Sequence, residues 1–541
     1  MASAIGAWMV ANRDVYIGNA TAMRDFRVQL RGNRSVLLFG LYLFVLIGVA
    51  LIVYSSTSGM SGMSGVTIVD AQSHLKQFYE TTMGLLGLTV CIVAPGLTAT
   101  SIVAERQRQS IDLVFSAPVT PKYYLVGKMI SSFRYTWMLL VLSLPVTAAS
   151  VVLGGASWAD VLVAYILLSL QGLILTAFAL LMSAVSPKPV GAIIWSYAAS
   201  LLYNIGAYAA SSTALATLRY GRGGGAGSEA PCFVALSPWT VGEAARTYMT
   251  LGGHQVPNWL IMAVVSLLIV KICLLGAGAL LSPSGGKEVV GLRIHALLYT
   301  ATLSGIAGWM AWEYLCHIAP TSFSSSGIGS VTGSAICGIM VSWVAMPIFL
   351  FMPFVGCFGF DRERRYMPNG VFSIRHLLDG TPAGGFPFLL SMLLCLFGGF
   401  AFGGWYHMRI GVSFDFWIFA IYSFTLWFFF WSLARLVSSL VNNLKTSRVL
   451  VFSGFMFLVV MPYPFLLAVA GIDLDINKMS LWDLYILEPI TGRRAEPIPK
   501  AILFSAILFG LAVVITAIGE SRTRTKLKSM RNYDERPYQA A

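Results

Sequence analysis

Apolar segments of about 20 residues recur along the whole of this chain, and a stretch of that length is what an α-helix needs to cross a bilayer. A hydropathy window of about 19 residues places them at 36–54, 83–104, 129–153, 160–185, 191–217, 258–281, 294–318, 334–359, 385–404, 415–437, 447–471 and 500–518. No stretch between them is long enough for an independent soluble core. Charged residues make up 11% of the chain, against roughly 25% in an ordinary soluble domain, so most of its surface cannot face water. The expected fold is therefore an all-α polytopic membrane protein of about twelve transmembrane helices.

An even number of spans puts both termini on one side. Arg24, Arg27, Arg31 and Arg34 precede the first span, Arg362, Arg364 and Arg365 follow the eighth, and Arg522, Arg524, Lys526 and Lys528 follow the last. All three clusters fall on that same side, which the positive-inside bias makes the cytoplasm. The excess of 36 Lys and Arg over 23 Asp and Glu is explained by this topology and does not call for a nucleic-acid partner. The clusters read as anchors on the anionic lipid of the bilayer. The apolar run from Ala4 to Ala11 is short and has no charged segment before it, which argues against a cleaved signal peptide.

Cys91, Cys273, Cys357 and Cys395 lie in apolar runs, where a thiol behaves as a small hydrophobe. Cys232, Cys316 and Cys337 lie in or near outer segments and leave one disulfide open. Ser55–Thr82 and Arg219–Pro257 are expected as outer loops. In the second, Ser237-Pro238-Trp239-Thr240 leads into Val241, Ala244, Ala245, Tyr248 and Met249, a spacing that predicts a short interfacial or re-entrant helix. Thr21–Arg34 sets Met23, Phe26, Val28 and Leu30 among four arginines, the pattern of a basic helix lying with its apolar side in the acyl boundary.

The most patterned stretch is Glu105–Lys128, between the second and third spans. Ile111, Val114 and Phe115 fall at i, i+3 and i+4, an apolar stripe on a short helix among Arg106, Arg108 and Asp112. Pro118 biases Ala117 away from helical geometry, Pro121 repeats the break, and Tyr123, Tyr124 and Leu125 resume an apolar run. A stiff amphipathic knob between two membrane helices suits docking into a groove on a partner.

At these residues the sequence resembles the ABC-2 type permease family. The corresponding residues are Glu105-Arg106-Gln107, Ser110-Ile111-Asp112, Ser116-Ala117-Pro118-Val119-Thr120-Pro121 and Gly127-Lys128, with Gln107 standing where the family often has an acid. The basic surface helix, six spans and large outer segment between the fifth and sixth spans extend the likeness over roughly residues 15–285. The resemblance implies a permease subunit of an ABC transporter, with Glu105, Arg106, Ile111, Val114, Phe115, Ser116, Pro118 and Pro121 in a coupling loop that docks on separate ABC-type ATP-binding subunits, two of them.

Residues 286–541 read as a second, diverged six-span half after the first half at 1–285. Asp361-Arg362-Glu363-Arg364-Arg365 sits where Glu105–Arg108 sits in the first, and Asp379-Gly380-Thr381-Pro382 replaces the proline turn, giving a second-half loop over 360–384. Paired repeats build other transporter cores in this way. The expected place is the inner membrane of a bacterium, with export as the direction.

No phosphate-cradling loop ending in Gly-Lys-Ser/Thr occurs, since Glu288 follows Gly286-Lys287 and Met129 follows Gly127-Lys128. ATP and magnesium are therefore expected on a partner chain, with no cofactor, metal or catalytic residue assigned to this one. Lys271 falls within a span, where a charge snorkels or pairs. His295 and Glu313 lie nearer span ends. Gln171 and Asn204 are expected to hydrogen-bond between helices, and the small residues Gly399–Gly403 to mark close helix packing. A secondary transporter is the alternative architecture, but its coupling would favour buried acids near the midplane, and these spans offer almost none. A membrane-embedded lipid-linked transferase would rest on Asp473-Leu474-Asp475, two carboxylates in a loop.

Overall fold

The computed structural model describes residues 19–30, 33–60, 68–116, 120–152, 155–221, 232–251, 254–281, 286–317, 377–378, 384–407, 416–441, 444–455 and 497–534. The chain divides into two compact units, Met1–His295 and Ala296–Ala541.

In the first unit the helices are α1 (Ala20–Leu30), α2 (Asn33–Met60), α3 (Ile68–Thr98), α4 (Ser101–Gln107), α5 (Ser110–Ser116), α6 (Pro121–Leu142), α7 (Leu144–Val152), α8 (Trp158–Val185), α9 (Pro189–Gly221), α10 (Val241–Ala244) and α11 (Asn258–Leu281). A helix α12 (Gly286–His317) carries the chain across the division. The second unit adds α13 (Gly385–His407), α14 (Phe416–Leu440), α15 (Leu444–Phe455) and α16 (Pro497–Asp534). Among the described residues, seven helices are long and apolar enough to cross a membrane. Shorter apolar helices at Phe39–Gly48, Gly385–Gly399 and Trp427–Leu440 fall in three further predicted spans. The predicted span 334–359 and most of 447–471 lie outside the described residues. The chain is an all-α polytopic membrane protein.

Helix α8 is the hub of the first unit and packs on α3, α6, α9 and α11. Its start is fixed by a capping box in which Ser157 and Asp160 satisfy each other's backbone amides. Small buried residues, among them Ala164, Ala177 and Ala179, let neighbouring backbones come close, which is how helices associate when lipid is the solvent. Polar groups on this hub are bonded across helices. Gln171 Nε2 donates to Asn204 Oδ1 at 3.2 Å, and the Cys91 thiol lies 3.5 Å from the same oxygen. This is the interhelical role expected for Gln171 and Asn204.

Four expectations change. Helix α3 starts at Ile68, so much of the predicted outer loop up to Thr82 is helical. Phe78 and Tyr79 are buried while Lys76 pairs with Glu80 at 3.4 Å, so an amphipathic stretch prolongs the span beyond its apolar window. Span three is interrupted at Ser143, between α6 and α7, where Ser143 Oγ donates to Leu140 O at 2.6 Å. The helix predicted from Val241 to Met249 stops at Ala244, and Tyr248–Leu251 instead pairs antiparallel with His254–Pro257. Leu251 faces His254 across the two residues Gly252-Gly253, a dipeptide suited to tight hairpin turns and a poor helix former. Helix α1 packs along α6 as well as presenting exposed Arg24 and Arg27, because Asn19 and Ala22 are buried against the bundle.

The segment that leads into the hairpin sits on the middle of α3 and the start of α8. Arg246 pairs with Asp160 at 2.8 Å, and Gly87 meets Pro238 where a Cβ would lie 2.9 Å from the Pro238 carbonyl oxygen. Cys232 is buried in a 3₁₀ turn, Cys232–Leu236, of the same segment, and burial pushes its thiol up to about 12. Only the thiolate reacts readily, so Cys232 is expected to resist a water-soluble maleimide at neutral pH in the folded protein and to label after denaturation without reductant. Peptide mapping of the labelled chain checks this. Cys337 and the side chain of Cys316 lie outside the described ones.

In the second unit Gly399 of α13 meets the backbone of α12 at Ser304 and Gly305, and Ser304 Oγ donates to Cys395 O at 2.8 Å. A methyl at Gly399 would lie 2.6 Å from the Gly305 nitrogen. Backbone cannot rotate away as a side chain can, so Gly399→Ala is expected to lose about 1–3 kcal/mol, read by reversible denaturation in mixed micelles. The close packing expected at Gly399 is present.

Candidate docking site

The end of the first unit opposite the hairpin carries the Glu105–Lys128 segment. Helix α3 ends at Thr98, the chain turns at Ala99-Thr100, and α4 starts without a side-chain cap of its own. Ser183, near the end of α8, supplies it: the backbone amides of Ile102 and Val103 donate to Ser183 Oγ at 3.2 and 3.3 Å. The four first amides of a helix need such partners.

The single helix predicted among Arg106, Arg108 and Asp112 is two short helices. Gln109, at φ 56°, is a non-glycine residue in the left-handed region, which ends α4 and redirects the chain into α5. Ser110 Oγ donates to Glu105 O at 3.1 Å and fastens the turn. The whole apolar stripe lies on α5, beyond the break. Ile111 is buried, Val114 is half-buried, and Ser116 is exposed. Phe115 lies in α5, with its side chain outside the described ones, and Pro118 lies outside the described residues altogether. Pro121 is the first residue of α6, whose cap Thr120 accepts from the Tyr123 amide at 3.3 Å, the position where a missing N–H costs least.

The polar residues of the motif turn inward. Lys128 is 8% exposed and its Nζ lies 2.5 Å from Glu105 Oε1 and 2.6 Å from Asp25 Oδ2. Tyr124, one turn before Lys128 on the same face of α6, donates to Glu105 Oε2 at 2.6 Å. Arg24 completes the cluster, 3.0 Å from Asp25 and 3.4 Å from Glu105. The Asp25 carboxylate beside it holds the Arg24 guanidinium above its ordinary value, Glu105 adding to the effect. Two cations face two anions, so the cluster is neutral at an otherwise apolar helix start, the condition under which buried charge is tolerated. Three elements are thereby joined: α1 through Arg24 and Asp25, α4 through Glu105, and α6 through Tyr124 and Lys128.

Arg106 binds elsewhere. Its guanidinium donates to Ala184 O at 3.0 Å and Ser186 O at 3.3 Å, satisfying carbonyls at the C-terminus of α8, where a cation is favoured. Glu105 and Arg106 thus hold the segment to the bundle, and among the described side chains Gln107, Arg108, Gln109, Ser116, Thr120 and Lys122 are exposed.

Gly127 sets the distance between α1 and α6, because a Cβ there would overlap Thr21 Oγ1 and crowd Asn19 Oδ1. Asn19 in turn caps α1 and donates to Tyr123 O at 2.9 Å. Gly127→Val is expected to loosen α1 by about 1–3 kcal/mol, seen as faster amide exchange over 20–30 while the spans keep their protection.

Asp25, Tyr124 and Ser183 were not legible as parts of this site. The i, i+4 spacing of Tyr124 and Lys128 is the one local signal for the cluster. Lys271 is half-buried on α11 and close enough to Lys122, at the start of α6, for their charges to interact, which agrees with a side chain reaching towards this end. His295 Nδ1 lies 2.8 Å from Gly291 O within α12. Asp361, Arg362, Glu363, Arg364 and Arg365 of the second-half loop, and Asp473 and Asp475, lie outside the described residues; so does the side chain of Glu313.

Residues 20–279 match the family model described as ABC-2 family transporter protein. No curated protein matches the chain.

Proposed function

We propose, from the premise that residues 20–279 belong to the ABC-2 family of transporter proteins, that separate ATP-binding subunits drive this permease by pushing on the segment Glu105–Lys128. The coarser statement, a transmembrane subunit of an ABC transporter, follows from the family itself. The observation that carries the finer one is the neutral cluster of Arg24, Asp25, Glu105, Tyr124 and Lys128. It fixes α4 to α1 and α6 together, and Ser110 fastens the start of α5 to Glu105 of α4, so a force on the segment moves a whole helix assembly rather than bending a loop. Val114, Arg108 and Ser116 form the contact surface on this reading, with Ile111 as the anchor from inside.

Residues 286–541 supply a second, diverged half with its own loop at 360–384, so that one chain serves two ATP-binding subunits. ATP closes the partners, the loops follow, and the helices repack to change access across the membrane. The loops and both termini face the cytoplasm of a bacterium, as the basic clusters require, and the direction is export.

The test is a crosslink. Ser116→Cys, carrying a short photoreactive group, is co-expressed with a stand-alone ABC-type ATPase. A covalent adduct to the ATPase that changes on adding ATP and orthovanadate is expected. Copurification of the two chains with no adduct from position 116 contradicts the docking surface.

A further inference from the structure

Among the described residues, the most extensive helix pairing of the second unit, α14 on α16, repeats that of the first, α8 on α11. Set at a constant offset of 255 residues, so that Ala179 meets Ala434, the last turns of α8 and α14 share Ala179/Ala434, Leu181/Leu436 and Ser183/Ser438. Their burial agrees position by position: Ala179, Leu180, Ser183 and Ala184 are buried, and so are Ala434, Arg435, Ser438 and Ser439, while Val185 and Leu440 are exposed. The partner helix also repeats its contact. Gly276 of α11 meets Leu181, with a Cβ 3.3 Å from its side chain, and Gly519 of α16 meets Leu436, with a Cβ 3.4 Å from its backbone.

A third correspondence lies at the C-terminal carbonyls. Ala184 O accepts from Arg106 at 3.0 Å. The matching Ser439 O accepts from Lys526 Nζ at 2.8 Å. Both bonds place a cation on an otherwise orphan carbonyl at a helix C-terminus. The two cations come from different places, Arg106 from the docking segment and Lys526 from α16. Nearly two turns before Lys526, the α16–α14 contact is reinforced where the first unit has Leu180: buried Arg435 lies 3.3 Å from Glu520 and over the Trp431 ring.

We propose that α14 with α16 is the structural repeat of α8 with α11, and that Lys526 is a positioning residue holding in the second unit the latch that Arg106 holds in the first. The two inner corners are then fastened differently, one to the docking segment and one to the C-terminal helix. Movement of the second corner passes through α16. The proposal rests on the reading of Glu105–Lys128 as the driven segment, and its test separates the two.

The full chain, with its co-expressed ATPase in nanodiscs, is followed by hydrogen exchange. Arg106→Ala is expected to speed exchange about tenfold over residues 182–186, and Lys526→Ala about tenfold over 437–441, since a charged hydrogen bond is lost in each. Lys526→Arg keeps the protection, and neither variant affects the other corner. Adding ATP and orthovanadate changes exchange at both corners of the parent protein, and Lys526→Ala abolishes the change at 437–441 alone. A response at 437–441 that survives Lys526→Ala, with 182–186 responding as before, overturns the proposal and leaves the driven segment standing. No nucleotide response at either corner of the parent overturns both.

Discussion

Replacing Lys128 by Met is expected to cost about 3–5 kcal/mol, because it leaves two carboxylates facing each other with their buried shared cation gone and only the exposed Arg24 beside them. Lys128 is the closest cation to both Asp25 and Glu105, at 2.6 and 2.5 Å, and it is itself 8% exposed. Arg24 cannot take its place, since its side chain is 60% exposed and 3.4 Å from Glu105. Removing one acid is milder: Glu105→Gln keeps the Lys128–Asp25 pair and a hydrogen-bonding group for Tyr124, and is expected to cost about 1–3 kcal/mol. The triple variant Lys128→Met, Asp25→Asn, Glu105→Gln is expected to lose less than Lys128→Met alone, since no uncompensated buried charge is left behind and Arg24, which loses its acids, is 60% exposed to water. Reversible denaturation in mixed micelles gives all three values. A Lys128→Met protein as stable as the parent would mean that the cluster does not hold α1, α4 and α6 together.

The spans were legible because a long apolar run in a bilayer has one low-energy conformation, the helix. The predicted 258–281 and the observed Asn258–Leu281 coincide, since Pro257 and the following polar break mark both ends in the sequence. Boundaries were less legible where amphipathic sequence continues the helix, as at Ile68–Thr82, or where a break carries no glycine or proline, as at Gln109; the break at Ser143 does carry one, Pro145 at the start of α7, but inside an unbroken apolar run. Gln109 has no side-chain property that announces φ 56°; its conformation is set by Arg106 and Ser183 tying α4 to α8. The hairpin at Tyr248–Pro257 was readable in principle from Gly252-Gly253, but a helical spacing through Met249 competed with it.

The candidate site was half legible. Glu105, Arg106 and Gly127-Lys128 stood out as a pattern, yet their roles are inward, and a linear pattern does not say which way a side chain points. Asp25 lies more than a hundred residues from Lys128 in the chain, and only the packing of α1 on α6 brings the two carboxylates to one ammonium group. Likewise the match of Ala179–Val185 to Ala434–Leu440 is too short to stand out by identity and becomes visible through burial, the facing glycines and the two latched carbonyls.

The central claim is that an ATP-hydrolysing partner drives this permease through the short helix after Gln109. Val114→Asp together with Phe115→Asp puts two charges into the apolar side of α5 that the partner's groove would have to desolvate, a loss of several kcal/mol in an interface of ordinary strength. The direct measurement is copurification of the co-expressed ABC-type ATPase with the tagged permease from membranes, variant against parent at equal permease level. The account predicts that the ATPase is recovered with the parent and that at least about nine-tenths of it is lost with the variant, while Arg106→Lys, which keeps a cation near the α8 carbonyls, retains it. Full recovery with the doubly charged α5, from a permease that still melts as the parent does, would contradict it.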